Sequence, residues 1–119
     1  LDDGYLDHFI NVFPILNSKG IQGCFYPPAR AVVERRVLDV NKIHHILASA
    51  PSPQDIVEEI YQILDRCRDE YGCESNEAYY TKFAVADRFD TADVIFIKRL
   101  LQRGLEEQLL YILTYEGIA

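Results

Sequence analysis

Apolar side chains recur at helical spacing along most of this chain, and glycine or proline separates the periodic stretches. The first stretch predicts a helix over about 5–18 that ends at Gly20. Pro14 interrupts it, so we expect a kink near Val12–Phe13. The residues IQGCFYPP at 21–28 then read as a short strand closed by two prolines. The order of loop, helix and strand is half of a βαβ unit, whose first strand we expect before the first residue.

From about residue 39 the pattern is helical throughout. Asp39 is expected to cap a short helix. Ser52, followed by Pro53 and Asp55, predicts the start of a longer helix that Gly72 ends, because a hydroxyl N-cap, a proline in the first turn and a glycine stop are typical helix signals. Three more helices are predicted, one from Ser75 or Asn76 to about Arg88, one from Asp90 to Gly104, and one over 105–117.

Charge and composition narrow the class of protein. Nineteen acidic and twelve basic residues give a net charge of −7, which disfavours a nucleic-acid partner because phosphate binding needs a positive surface. The longest apolar runs are far shorter than the roughly 20 residues of a membrane-spanning helix. No signal-peptide pattern is visible, and Cys24, Cys67 and Cys73 form no C-x-x-C pair. These features favour a cytoplasmic location for the chain as given.

Two adjacent aspartates, Asp2 and Asp3, are followed directly by Gly4. In such a pair, one carboxylate can bind a divalent cation while the other acts as a general base that takes a proton from water. Glycine would let the backbone turn sharply beside a substrate. The alternative interpretation is a helix cap, because aspartate is a favoured N-cap residue and its charge suits the helix dipole.

The residues LDDGYLDHFINVFPILNSKGIQGCFYPP at 1–28 resemble the opening of the polysaccharide deacetylase (NodB-homology) family of carbohydrate esterases. That opening has a T-F-D-D-G motif, a helix ending in xxPILxxxG and a strand of the form xATFFVP. The resemblance implies an α/β fold in which this chain is a fragment of a distorted (β/α) deacetylase barrel, predominantly helical with one or two short strands. Residues 1–38 would be the first βα unit of the barrel, and 39–119 a helical insertion. The strand that precedes the motif would then be missing from this chain.

The resemblance also implies a reaction, the hydrolytic removal of acetyl groups from an N- or O-acetylated sugar or polysaccharide. Asp2 would be the general base and Asp3 a ligand of a divalent metal, with zinc as the expected ion. The acetylated glycan would be the partner of the site.

The sequence departs from the family at the histidines. The family completes its metal site with an H-S/T-x-x-x-H motif, whereas His8, His44 and His45 are the histidines here and no two have that spacing. We expect all three to be surface or packing residues, because adjacent helical side chains such as His44 and His45 point about 100° apart. The metal site is therefore expected to be incomplete in this chain.

A different class of function is compatible with the same pattern. Most of the chain is amphipathic helix, so it could be a helical interaction module that self-associates through its helical region, with LDDGY serving only as a cap. The aromatic cluster of Tyr79, Tyr80 and Phe83 can line a sugar site, but at helical spacing we expect it to pack. Cys73 has no neighbouring base in the sequence, so we do not expect it to be a nucleophile.

Overall fold

The computed structural model describes residues 1–117 and divides into two compact units, Leu1–Leu38 and Asp39–Ala119. The first unit contains a π-helical segment, His8–Val12, followed by helix α1, Phe13–Ser18, and helix α2, Ala29–Val33. The second contains helices α3, Asp39–Ser49, α4, Pro53–Tyr71, α5, Asn76–Phe83, α6, Ala92–Arg99, and α7, Glu107–Tyr111. Two further π-helical segments, Leu100–Gly104 and Ile112–Gly117, follow α6 and α7.

The helix predicted over about 5–18 is confirmed, and its departure from α geometry lies where Pro14 predicts it. Pro14 is in the first turn of α1, immediately after the wide π turn of His8–Val12. Proline has no N–H to donate to the preceding turn, so the backbone there loses one α-helical hydrogen bond. A π turn before a proline is one of the recognised ways to accommodate such a break. Gly20, with φ 63°, follows the helix end.

The strand predicted within 21–28 is wrong. Among residues 1–117 the extended pairing is limited to one isolated parallel bridge between Asp2 and Tyr26. The amide N of Tyr26 donates to the carbonyl of Leu1 at 2.9 Å, and the Leu1 nitrogen donates to the carbonyl of Cys24 at 3.0 Å. A strand needs a continued ladder of such bonds, and this pairing stops after one position because the chain turns at Asp3 and reaches Pro27 on the other side.

The α/β fold class is wrong as well. The residues that the structure describes form helices with no strand, sheet or barrel, so the chain is a small helical structure and not a fragment of a distorted (β/α) barrel. The residues IQGCFYPP read as a strand closed by prolines, but a lone extended segment without neighbouring strands cannot build a sheet. Helix α2 was not predicted from the sequence.

The second unit is built around one hydrophobic core. Helix α4 contacts α3, α5, α6 and the final π-helical segment, so it is central to the packing. Its apolar stripe and those of its neighbours meet in the interior, as an amphipathic pattern predicts. The fully buried side chains of the core include Ile43, Ile56, Ile60, Ile63, Leu64, Phe96, Ile97, Leu100, Leu101, Leu109 and Leu113.

Most helix ends of the second unit follow the sequence signals. The Ser52 hydroxyl accepts a hydrogen bond from the amide N of Asp55 at 3.3 Å, and Gly72 closes α4 with a left-handed φ of 61°. Ser75 caps α5 in the same way, although α5 ends at Phe83, earlier than predicted.

The cap predicted at Asp90 is wrong. Thr91 caps α6 through its hydroxyl, which accepts a hydrogen bond from the amide N of Val94. Asp90 instead pairs with Lys98 at 2.7 Å. Both residue types are good caps, so only the local backbone path decides which of the two adjacent side chains reaches the free amides.

Candidate functional site

The Asp2, Asp3 and Gly4 motif forms a tight turn with two consecutive left-handed residues. Asp3 has φ 68° and Gly4 has φ 64°. Aspartate tolerates this region better than most residues but still adopts it at a cost, and such conformations concentrate at turns and functional sites. Both aspartates are exposed. The helical backbone after the motif begins at Leu6, and the amide N of His8 donates to the carbonyl of Tyr5 at 3.0 Å.

Gly4 is held against Pro27, and this contact brings the two parts of the motif region together. A β-carbon built on Gly4 would lie 2.8 Å from Cβ and 3.2 Å from Cα of Pro27. Neither distance leaves room for a side chain, and the positive φ disfavours one independently. The turn therefore needs glycine for two separate reasons. The bridge from Asp2 to Tyr26 holds the same two segments side by side.

A cavity of about 290 Å³ lies beside this turn, within the first unit. Its walls are mostly aromatic. Phe9 and Phe13 stack with ring centroids 6.1 Å apart, which places both rings on the same side of the helical segment. We call this space the aromatic cavity, and it is lined by Gly4, Tyr5, His8, Phe9, Phe13, Phe25 and Pro27.

His8 is the one ionisable imidazole in the lining of the aromatic cavity. Its ring centroid lies 5.7 Å from that of Tyr5, edge to face, and 6.2 Å from that of Phe25. Its Nδ1 atom is buried and has no hydrogen-bond partner among the described residues. A buried polar atom without a partner costs free energy, and native structures rarely leave one without a reason. The sequence analysis left His8 out of the site; its position one helical turn after Gly4 was the signal that could have included it.

The structure does not assemble the metal site that the resemblance implies. Among the described residues there is no group of three His, Cys, Asp or Glu side chains that could hold a metal ion. Asp3 would contribute one carboxylate, which does not make a zinc site without further ligands. His44 and His45 are exposed on α3, in the other unit. The described residues therefore do not fit a complete metal centre.

The aromatic cluster of the second unit packs in the core, as predicted. Tyr79 is buried, and Tyr79 and Phe83 stack at 6.5 Å between centroids. The Tyr80 hydroxyl donates to Oδ1 of Asp93 at 2.6 Å. This hydrogen bond, helped by burial and by the Asp93 charge, raises the pKa of Tyr80 to about 12. The cluster therefore has a structural role in joining α5 to α6.

Cys73 lies at the edge of the same core. Burial is the main cause that raises the pKa of its thiol, which disfavours the reactive thiolate form. This direction agrees with the expectation that Cys73 is not a nucleophile.

Comparisons with known proteins found no match. No protein-family model matches the chain, and no curated protein or solved structure matches it either. Across the described residues, no helix combines the length and the apolar character needed to cross a membrane. The turn at Asp2, Asp3 and Gly4 in the first unit therefore carries the proposal about function.

Proposed function

We propose that this chain is part of a metal-dependent hydrolase that removes acetyl groups from an N- or O-acetylated sugar or polysaccharide. In this proposal Asp2 is the general base and Asp3 is one ligand of a divalent ion, with zinc as the expected ion. The described residues supply only this part of a metal site, so the remaining ligands would have to come from elsewhere.

The observation that carries the proposal is the packing of Gly4 on Pro27 beside the Asp2 to Tyr26 bridge. These contacts bring together two of the segments on which the resemblance rests, although 22 residues lie between Gly4 and Pro27 in the sequence. A turn that served only to start a helix would need neither the contact with Pro27 nor a left-handed aspartate at position 3. The arrangement supports a site in which both carboxylates project from a rigid turn.

The chemistry assigned to Asp2 requires access to water and to substrate. Its side chain is exposed, so it can take a proton from a water molecule that attacks the acetyl carbonyl. The left-handed turn at Asp3 and Gly4 fixes the backbone that carries both carboxylates. Because few backbone conformations remain to be lost, substrate binding costs less conformational entropy.

Release of acetate from a disaccharide of N-acetylglucosamine, measured with added zinc, tests this proposal. With the remaining metal ligands present, we expect the wild-type protein to release acetate and Asp2→Asn to release it about a hundredfold more slowly, since a general base contributes at least about that factor. Asp7→Asn, an exposed aspartate outside the motif, is the matched control and should retain the wild-type rate. Equal rates for wild type and Asp2→Asn, or no release by a wild-type protein that has the remaining ligands, would contradict the proposal.

Zinc titration by calorimetry tests the role of Asp3 separately. Asp3→Ala should bind zinc about tenfold or more weakly than wild type, whereas Asp7→Ala should not differ from it. Equal affinities for wild type and Asp3→Ala would remove Asp3 from the metal site.

A second candidate function, a self-associating module, is favoured by a different observation. The first unit exposes many large apolar side chains, among them Val33, Leu6 and Phe9, and exposed apolar surface of this kind often marks an interface. The sequence pattern predicts such association through the helical region, whose apolar stripes instead fill its core. Sedimentation velocity over a roughly hundredfold range of protein concentration tests this second candidate. A self-associating module predicts a dimer fraction that rises with protein concentration, whereas a monomer at every concentration would contradict it.

A further inference from the structure

We draw no further inference here: the strongest candidate, the exposed apolar stripe of Leu6, Phe9, Ile10 and Phe13 along the helical residues 6–18 of the first unit, carries nothing because nothing in the structure shows what covers it.

Discussion

The two units of this protein are stabilised in different ways. The second unit buries whole side chains from five helices and two π-helical segments in a continuous core, whereas no residue of Leu1–Leu38 is buried. The first unit is instead held by backbone hydrogen bonds to Leu1, by the contact of Gly4 with Pro27 and by its aromatic ring contacts. The comparison indicates that the second unit is stabilised by apolar burial, while the first is stabilised by backbone geometry at a few positions.

Removal of Phe96, the largest of the fully buried side chains among the described residues, should have the greatest effect on stability. Phe96 is fully buried and contacts the rings of Tyr61 and Tyr80 at 5.9 and 5.1 Å between centroids. We expect Phe96→Ala to lower the free energy of unfolding by about 3–5 kcal/mol, because it removes apolar contacts and leaves a cavity. Urea denaturation followed by circular dichroism measures this. Phe89→Ala, at a position 77% exposed, is the control and should change stability by less than about 0.5 kcal/mol.

A glycine substitution should disrupt the first unit without affecting the second. Gly4→Ala introduces a side chain 2.8 Å from Pro27 at a positive φ, so we expect a local loss of about 2–3 kcal/mol. The amide of Tyr26, which donates to Leu1, should lose its protection in hydrogen exchange, while amides of α4 keep theirs.

Gly20→Ala is the matched control for Gly4→Ala. Gly20 has φ 63° but no atom within 4 Å of the added carbon, so only the backbone term of about 1 kcal/mol should appear. Equal effects of the two substitutions would show that the contact with Pro27 contributes nothing.

Stability at high pH should depend on Tyr80. Its hydrogen bond to Asp93 favours the neutral phenol and raises the pKa from 10.0 to about 12 in the folded chain. The contribution of Tyr80 is therefore fully present below pH 10 and is lost as the pH rises toward 12, because the unfolded chain releases this proton first. Tyr80→Phe should cost about 1–2 kcal/mol at pH 7 and should flatten this decline, as measured by urea denaturation from pH 7 to 11.5. A decline of the same steepness in Tyr80→Phe would assign it to other groups.

The smallest of these effects should come from a helix cap. Ser52→Ala removes the acceptor for the amide N of Asp55, so we expect α4 to lose about 1 kcal/mol. Ser52→Asp should restore most of it, because aspartate is also a good N-cap. If Ser52→Asp is as unstable as Ser52→Ala, the hydroxyl contributes through some contact other than the cap.

Local signals predicted much of the helical structure. The caps of α4 and α5, the stop at Gly72 and the departure from α geometry before Pro14 all depend on residues within one turn of each other. Their chemistry acts through nearby backbone groups, so it can be read without knowing the fold. The choice between Asp90 and Thr91 could not be read in this way, because both can accept the same hydrogen bond.

The candidate site was predictable only in part. Asp2, Asp3 and Gly4 were identified from their order in the sequence, and the need for glycine was expected from the turn. The role of Pro27 in that turn and the inclusion of His8 in a cavity with Phe25 depend on contacts between residues about 20 positions apart. Periodicity carries no information on such contacts.

The amino-acid sequence by itself determined where the helices of the second unit lie, because apolar spacing, caps and glycine stops are local properties. Only the tertiary structure decided that residues 21–28 do not form a strand, since a strand exists through hydrogen bonds to a neighbour and not through its own pattern. It also decided that the aromatic side chains of the first unit surround a cavity with an unpaired imidazole nitrogen, because that depends on where the chain returns in space.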